Sequence, residues 1–169
     1  ENPVGPSPKV LEEIGRAAKE IHRYPDAAGF LLKADLSAHH DVPAEEICLG
    51  NGSNELIDLI CRTFAAPGEH IVFGVPSFVC YWLGATAANA EFTKVPLRDD
   101  LHWDVDALLA AVKPETKVLF VANPNNPTGT HLGASELRRL LEELPEHVVA
   151  VLDEAYVQFA DAEDYESAL

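Results

Sequence analysis

The 169-residue sequence contains no methionine and only three cysteines. The missing methionine suggests that the chain lacks its natural start. Cys48, Cys61 and Cys80 are odd in number and each sits in an apolar run, so they read as buried free thiols in a reducing cytosol, not as a disulfide framework. Basic residues are also scarce. Twelve Lys and Arg against 28 Asp and Glu give 12 − 28 = −16, which argues against a nucleic-acid or anionic-membrane surface. A local phosphate pocket stays open, because backbone amides can supply it. No apolar run approaches the ~20 residues of a membrane-spanning helix, and no signal-peptide layout is present. Metal-ligand spacing is missing too. His39 and His40 are adjacent, while His22, His70, His102, His131 and His147 are scattered, with no HxxxH pair or Cys/His cluster.

What is present is an apolar content of 47%, enough for a packed domain that buries about 70% of its unfolded surface. The first eight residues are rich in proline and glycine and read as extended. Val10, Leu11, Ile14, Ala17, Ala18 and Ile21 recur at helical spacing, which predicts an amphipathic helix over 8–22. Tyr24-Pro25-Asp26 breaks it. A second helix is expected over about 28–40, with Phe30, Leu31, Ala34 and Leu36 inward. The rhythm then changes to strand and helix in turn. Strands are expected near 47–49, 71–75, 91–95, 117–122 and 148–152, and helices near 53–66, 77–87, 104–112 and 134–144. Such alternation implies an α/β fold, a three-layer sandwich whose mainly parallel sheet is covered by helices on both faces. The helical segment 1–40 precedes it, and the α/β part occupies 41–169. Glutamates 136, 142 and 143 with Arg138 and Arg139 read as a solvated helix face.

The most informative stretch is KVLFVANPNNPTGT, Lys117–Thr130. A compact apolar strand stops abruptly in a loop of asparagine, proline, threonine and glycine. Each proline pushes Asn123 or Asn126 out of the helical region, so the loop is an extended ledge of amide side chains. In open α/β sheets the carboxyl edge of the strands is where ligands bind. The pattern returns in HVVAVLDEAY, where a strand ends on Asp153 with Tyr156 three residues on. Ser53 and Asn54, in GNGSNE, open a helix whose free N–H groups and dipole attract an anion; they serve equally as a simple cap. Phe78, in VPSF, stands after a strand where a flat ring can stack on a ligand or join Tyr81 and Trp82 in a core cluster. Asp153 alone reads equally as a turn or N-cap aspartate, Asn126 as an Asx-turn residue, and Tyr156 as a half-buried ring.

Taken together, NPTG and DEAY, with ENPVGPSP at the start, YPD at Tyr24–Asp26 and GNGSNE at Gly50–Glu55, resemble the fold-type I pyridoxal-phosphate aminotransferases. Within that family the chain looks most like the histidinol-phosphate branch, and the likeness runs along essentially the whole sequence. The resemblance implies the role of each residue. Asp153 holds the proton on the pyridine nitrogen, while Asn126 and Tyr156 hydrogen-bond the cofactor's ring oxygen. Phe78 stacks on the ring, Ser53 and Asn54 belong to the phosphate cup, and Tyr24 reaches across a two-fold dimer to the partner's phosphate. Residues 1–40 become a lid and small-domain helices, and 41–169 the first part of the cofactor-binding domain. Val4 replaces an aromatic usual in the lid. Asn123 and Asn125 are structural. The resemblance also implies a small amino donor and a 2-oxo acid as substrates, and a cytoplasmic setting is expected.

The same resemblance marks what the sequence lacks. The lysine that bonds the cofactor lies downstream of DEAY in the family, with the arginines for phosphate and substrate carboxylate beyond it. None of Lys9, Lys19, Lys33, Lys94, Lys113 or Lys117 fits its context. No catalytic residue is therefore assigned, and the chain as it stands is expected not to transaminate. An aromatic-amino-acid aminotransferase or a threonine-phosphate decarboxylase remains a rival within the family, and a non-catalytic binding module a rival outside it. A dinucleotide-binding protein is disfavoured, because GNGSNE is not a dinucleotide turn.

Overall fold

The structure, a computed structural model, describes residues 4–169. Two compact units are separated between Ile47 and Cys48. The first carries helices α1 (Pro8–Ala17) and α2 (Phe30–His40) and a single 3-10 turn at Ala44–Glu46. Ser7 caps α1 through Val10 N–H, and Pro8 at the first helical position is pre-set for a helix start. The helix ends at Ala17, and the expected continuation to residue 22 is a series of turns. No described residue of this unit is buried, so the inward assignment of Phe30, Leu31, Ala34 and Leu36 is corrected: the first three are exposed and Leu36 is half-buried.

The second unit, Cys48–Leu169, contains α3 (Gly52–Phe64), β1 (His70–Val75), α4 (Cys80–Ala87), β2 (Glu91–Pro96), α5 (Val105–Ala110), β3 (Thr116–Ala122), α6 (Ala134–Glu143) and β4 (Val149–Asp153). The four strands form one parallel sheet in the order β2-β1-β3-β4. The extended run expected at 47–49 is not a strand. Ile47 has extended dihedrals, but none of these residues pairs with a neighbour; local sequence sets the dihedrals, whereas a strand needs a partner.

Strands β1 and β3 are central, and both read as near-continuous apolar runs because both of their faces are covered. Alternation along β1 separates the layers. Phe73 faces Tyr81 of α4, and α4 packs on α3 where Gly84 meets Cys61 and Ile57. Gly74, one residue on, faces the opposite side and the ring of Trp103, just before α5. Helix α5 in turn contacts α6, which completes three layers. The core is centred on Trp103, Tyr81, Phe120, Ile71 and Leu108, all essentially inaccessible to solvent. The cysteines differ from expectation at one position: Cys61 is buried and Cys80 half-buried, but Cys48 is exposed, because it lies in an unpaired extended segment that nothing in its own unit covers. The acidic tail is tied down. Asp164 C=O accepts Ala134 N–H at 2.7 Å, and Tyr165 Oη donates to Asn123 C=O at 2.9 Å.

Candidate functional site

Because every strand is parallel, β1, β3 and β4 end at the same edge and deliver their following loops to one place. There Ser53, Phe78, Asn126, Asp153 and Tyr156 line a single cavity of about 80 Å³, with Ala122, Pro124 and Ala155 completing its wall. A larger hollow of about 460 Å³ adjoins it and shares Pro124, Asn126 and Tyr156. Five residues expected at the site from four separate motifs thus meet. Asn54 does not join them. It is exposed on a neighbouring groove with Asn51, Asp58 and Leu83, because successive helical residues point about 100° apart and Ser53 takes the cavity side. Tyr24 belongs to the first unit, where its side chain is fully exposed.

Local sequence explains each placement. The peptide bonds before Pro76, Pro124 and Pro127 are cis. Asn125 is buried and its amide is fully used: Oδ1 accepts from Ser77 Oγ at 2.7 Å, and Nδ2 donates to Pro76 C=O at 3.1 Å and to Thr128 Oγ1 at 2.7 Å. Asn123 Oδ1 accepts Leu132 N–H at 2.8 Å. Both asparagines therefore shape the ledge. The side chains of Asn126, Tyr156 and Ser53, by contrast, have no hydrogen-bond partner among the described residues, so their polar groups are available to a ligand. At the mouth of α3, Gly52 adopts φ +71°, a conformation that suits glycine, and Glu55 reaches back to the Asn51 N–H. No side chain caps the helix from its N-cap residue, which leaves first-turn N–H groups and the positive end of the dipole for an anion.

Asp153 is the charged group of the cavity. Its Oδ2 accepts from Tyr81 Oη at 2.8 Å and its Oδ1 accepts the Ala155 N–H at 3.2 Å. Tyr81 lies flat on Phe120 at 4.8 Å and 10°, and edge-on to Phe78 at 5.8 Å and 87°. Burial, and then the charge of Asp153, push the Tyr81 phenol far above its ordinary range, so it stays a proton donor. Burial and Asp153 also raise the Cys80 thiol. Tyr81 was legible beforehand only as a possible core ring; its spacing of three from Phe78 is the signal that both share one side of this segment. An oriented carboxylate, an aromatic wall, a free amide and phenol, and an anion-seeking helix mouth together suit a flat cationic heteroaromatic ring with an anionic tail. Among the described residues no group of three His, Cys, Asp or Glu side chains could hold a metal ion.

The model of the family described as aminotransferase class I and II matches residues 1–168. This defines the class: the chain belongs to the class I and II aminotransferases. Among its curated relatives, histidinol-phosphate aminotransferase 2 of Pseudomonas fluorescens (strain Pf0-1) is 44% identical over 169 residues, covering 100% of this chain and 45% of the relative. The solved histidinol-phosphate aminotransferase of Sinorhizobium meliloti, in complex with pyridoxal-5'-phosphate, is 32% identical with a TM-score of 0.90, over 97% of this chain and 44% of that one. The L-threonine-O-3-phosphate decarboxylase of Porphyromonas gingivalis shares the fold at 24% identity and a TM-score of 0.78, over 94% of this chain and 48% of that one. The chain spans somewhat under half the length of the curated relatives it matches.

Proposed function

We propose that the protein carrying this chain is a pyridoxal-phosphate transaminase that exchanges an amino group between L-histidinol phosphate and 2-oxoglutarate. The observation that supports the reading most is the convergence of Ser53, Phe78, Asn126, Asp153 and Tyr156 on one cavity at the strand ends. When bound, the cofactor supplies an electron sink for the substrate's α-carbon. In this reading Asp153 keeps a proton on the ring nitrogen, and Phe78 holds the ring flat. Asn126 Nδ2 and Tyr156 Oη donate to the ring oxygen, while Ser53 Oγ and the first-turn N–H groups of α3 hold the phosphate. Asn54 contributes through its backbone alone. Tyr24 acts from a second subunit, which makes the working form a homodimer, and residues 1–40 form its lid and small-domain helices. The free thiols suit a cytoplasmic setting.

None of the chain's six lysines lines the cavity. In this reading no lysine of residues 1–169 is placed to bond the cofactor in this cavity, and these residues alone are expected to be inactive. The same observation favours a second reading, a cofactor-fold module that binds without catalysing.

The test measures glutamate formed by the complete protein from 2-oxoglutarate with histidinol phosphate or phenylalanine as donor, and CO2 released from threonine phosphate. Histidinol phosphate is the expected donor. Turnover confined to phenylalanine would overturn the substrate assignment. A pyridoxal-phosphate spectrum that stays that of the free cofactor in the presence of the protein would overturn the class of chemistry.

A further inference from the structure

Asp153 faces the cavity from the end of β4, but the group that aims it stands outside the cavity wall. Tyr81 has no accessible surface and does not line the cavity, so it reaches a ligand only through Asp153. Its hydroxyl takes one carboxylate oxygen at 2.8 Å, and the Ala155 N–H takes the other at 3.2 Å. Two donors on two oxygens fix the plane of the carboxylate as well as its position. The Tyr81 ring is itself held between Phe120, parallel at 4.8 Å, and Phe78, edge-on at 5.8 Å. The aromatic wall and the carboxylate are thereby referenced to one buried ring.

We propose that Tyr81 is the positioning residue for Asp153, fixing the orientation in which that carboxylate meets the ring nitrogen of a pyridine cofactor. The proposal rests on the pyridoxal-phosphate reading of the site, and it extends that reading to a residue outside the cavity. Without the hydroxyl, Asp153 Oδ2 loses its partner and the carboxylate rotates about the bond that the Ala155 contact alone restrains. The phenol also remains protonated throughout the working pH range, since burial raises it, so the contact is a constant of the site and not a switch.

The test compares two ligands of the complete protein: pyridoxal phosphate and its 1-deaza analogue, in which CH replaces the ring nitrogen. Their dissociation constants are read by absorbance titration, so turnover is not needed. The ratio of the two isolates the nitrogen contact, because phosphate, ring stacking and any lysine bond are common to both. The wild type is expected to prefer pyridoxal phosphate. Tyr81→Phe, which keeps the ring stack, should shrink that preference by about three- to tenfold and leave the analogue's affinity within about twofold. Phe120→Leu is the packing control; it should lower thermal stability and leave the preference intact. A preference unchanged in Tyr81→Phe would overturn the proposal, as would equal weakening of both ligands or an equal loss of preference in Phe120→Leu. A wild type that does not discriminate between the two ligands would overturn the Asp153 assignment itself, a different failure.

Discussion

Ser77 Oγ donates a 2.7 Å hydrogen bond to Asn125 Oδ1, tying the loop that carries Phe78 to the ledge that carries Asn126. The Asn125 amide nitrogen closes the latch on Pro76 C=O and Thr128 Oγ1. Neighbouring residues of one motif thus divide their labour: Asn125 is committed internally, and the Asn126 side chain is left free.

This division predicts opposite phenotypes. Asn125→Ala removes a buried residue whose amide makes three side-chain contacts and strands Ser77. It should cost about 2–4 kcal/mol in urea unfolding. Asn126→Ala should change stability by no more than about 0.5 kcal/mol, yet weaken pyridoxal-phosphate binding by tenfold or so. Equal destabilisation by both substitutions would contradict the latch.

Gly74 and Trp103 make a second pair. A methyl group at Gly74 would lie 2.2 Å from Trp103 Cζ3, too close for any side chain. The Trp103 indole N–H also donates to Ala122 C=O at 3.2 Å, at the point where β3 passes into the ledge. Gly74→Ala should therefore destabilise by about 1–3 kcal/mol or more through overpacking. Adding Trp103→Phe, which vacates part of the space, should give a double variant less damaged than the sum of the two single ones, measured by thermal unfolding.

The parts legible in the sequence are those that local chemistry decides. Apolar runs closed by Asn-Pro or Asp placed β3 and β4, and the parallel sheet then carried Phe78, Asn126, Asp153 and Tyr156 to a common edge. Non-local matters were not legible. Whether residues 47–49 pair depends on a neighbouring strand, and the exposure of Cys48 follows from that missing pairing. The Tyr81–Asp153 contact spans 72 positions, so its hydroxyl could not be told from a core ring in advance. Which side of α3 each residue of Ser53-Asn54 takes was likewise not legible: Ser53 lines the cavity and Asn54 the neighbouring groove.

The cysteines supply a kinetic prediction. Cys61 is buried, and desolvation followed by the charge of Asp58 pushes its thiol up to about 11, so almost no thiolate forms at neutral pH. Cys80 is half-buried and is raised in the same direction. Cys48 is exposed. A disulfide reagent at pH 8 should label Cys48 rapidly and Cys80 slowly. Cys61 should react only at the rate of unfolding, as followed by mass spectrometry of the labelled peptides. Rapid labelling of Cys61 in the folded protein would refute its burial.

At the opposite edge of the sheet, His70 sits buried between Thr116 Oγ1, 2.8 Å from Nδ1, and Thr93 Oγ1, 2.9 Å from Nε2. Burial, then the charge of Lys113, hold its pKa below the ordinary histidine value, against smaller opposing contributions from Glu115 and Glu91. Folding therefore favours the neutral ring. Between the depressed folded value and the unfolded value of about 6.5, the unfolded chain binds more protons, so stability rises with pH across that window. Above the window the penalty vanishes; as pH falls through about 6.5 it accumulates, and below the folded value it is constant. His70→Gln offers a neutral donor and acceptor that does not titrate. The wild type should lose more unfolding free energy between pH 7.5 and pH 5 than this variant does, with every other histidine common to both. Parallel pH profiles from urea titrations of the two proteins would show that His70 does not carry the dependence.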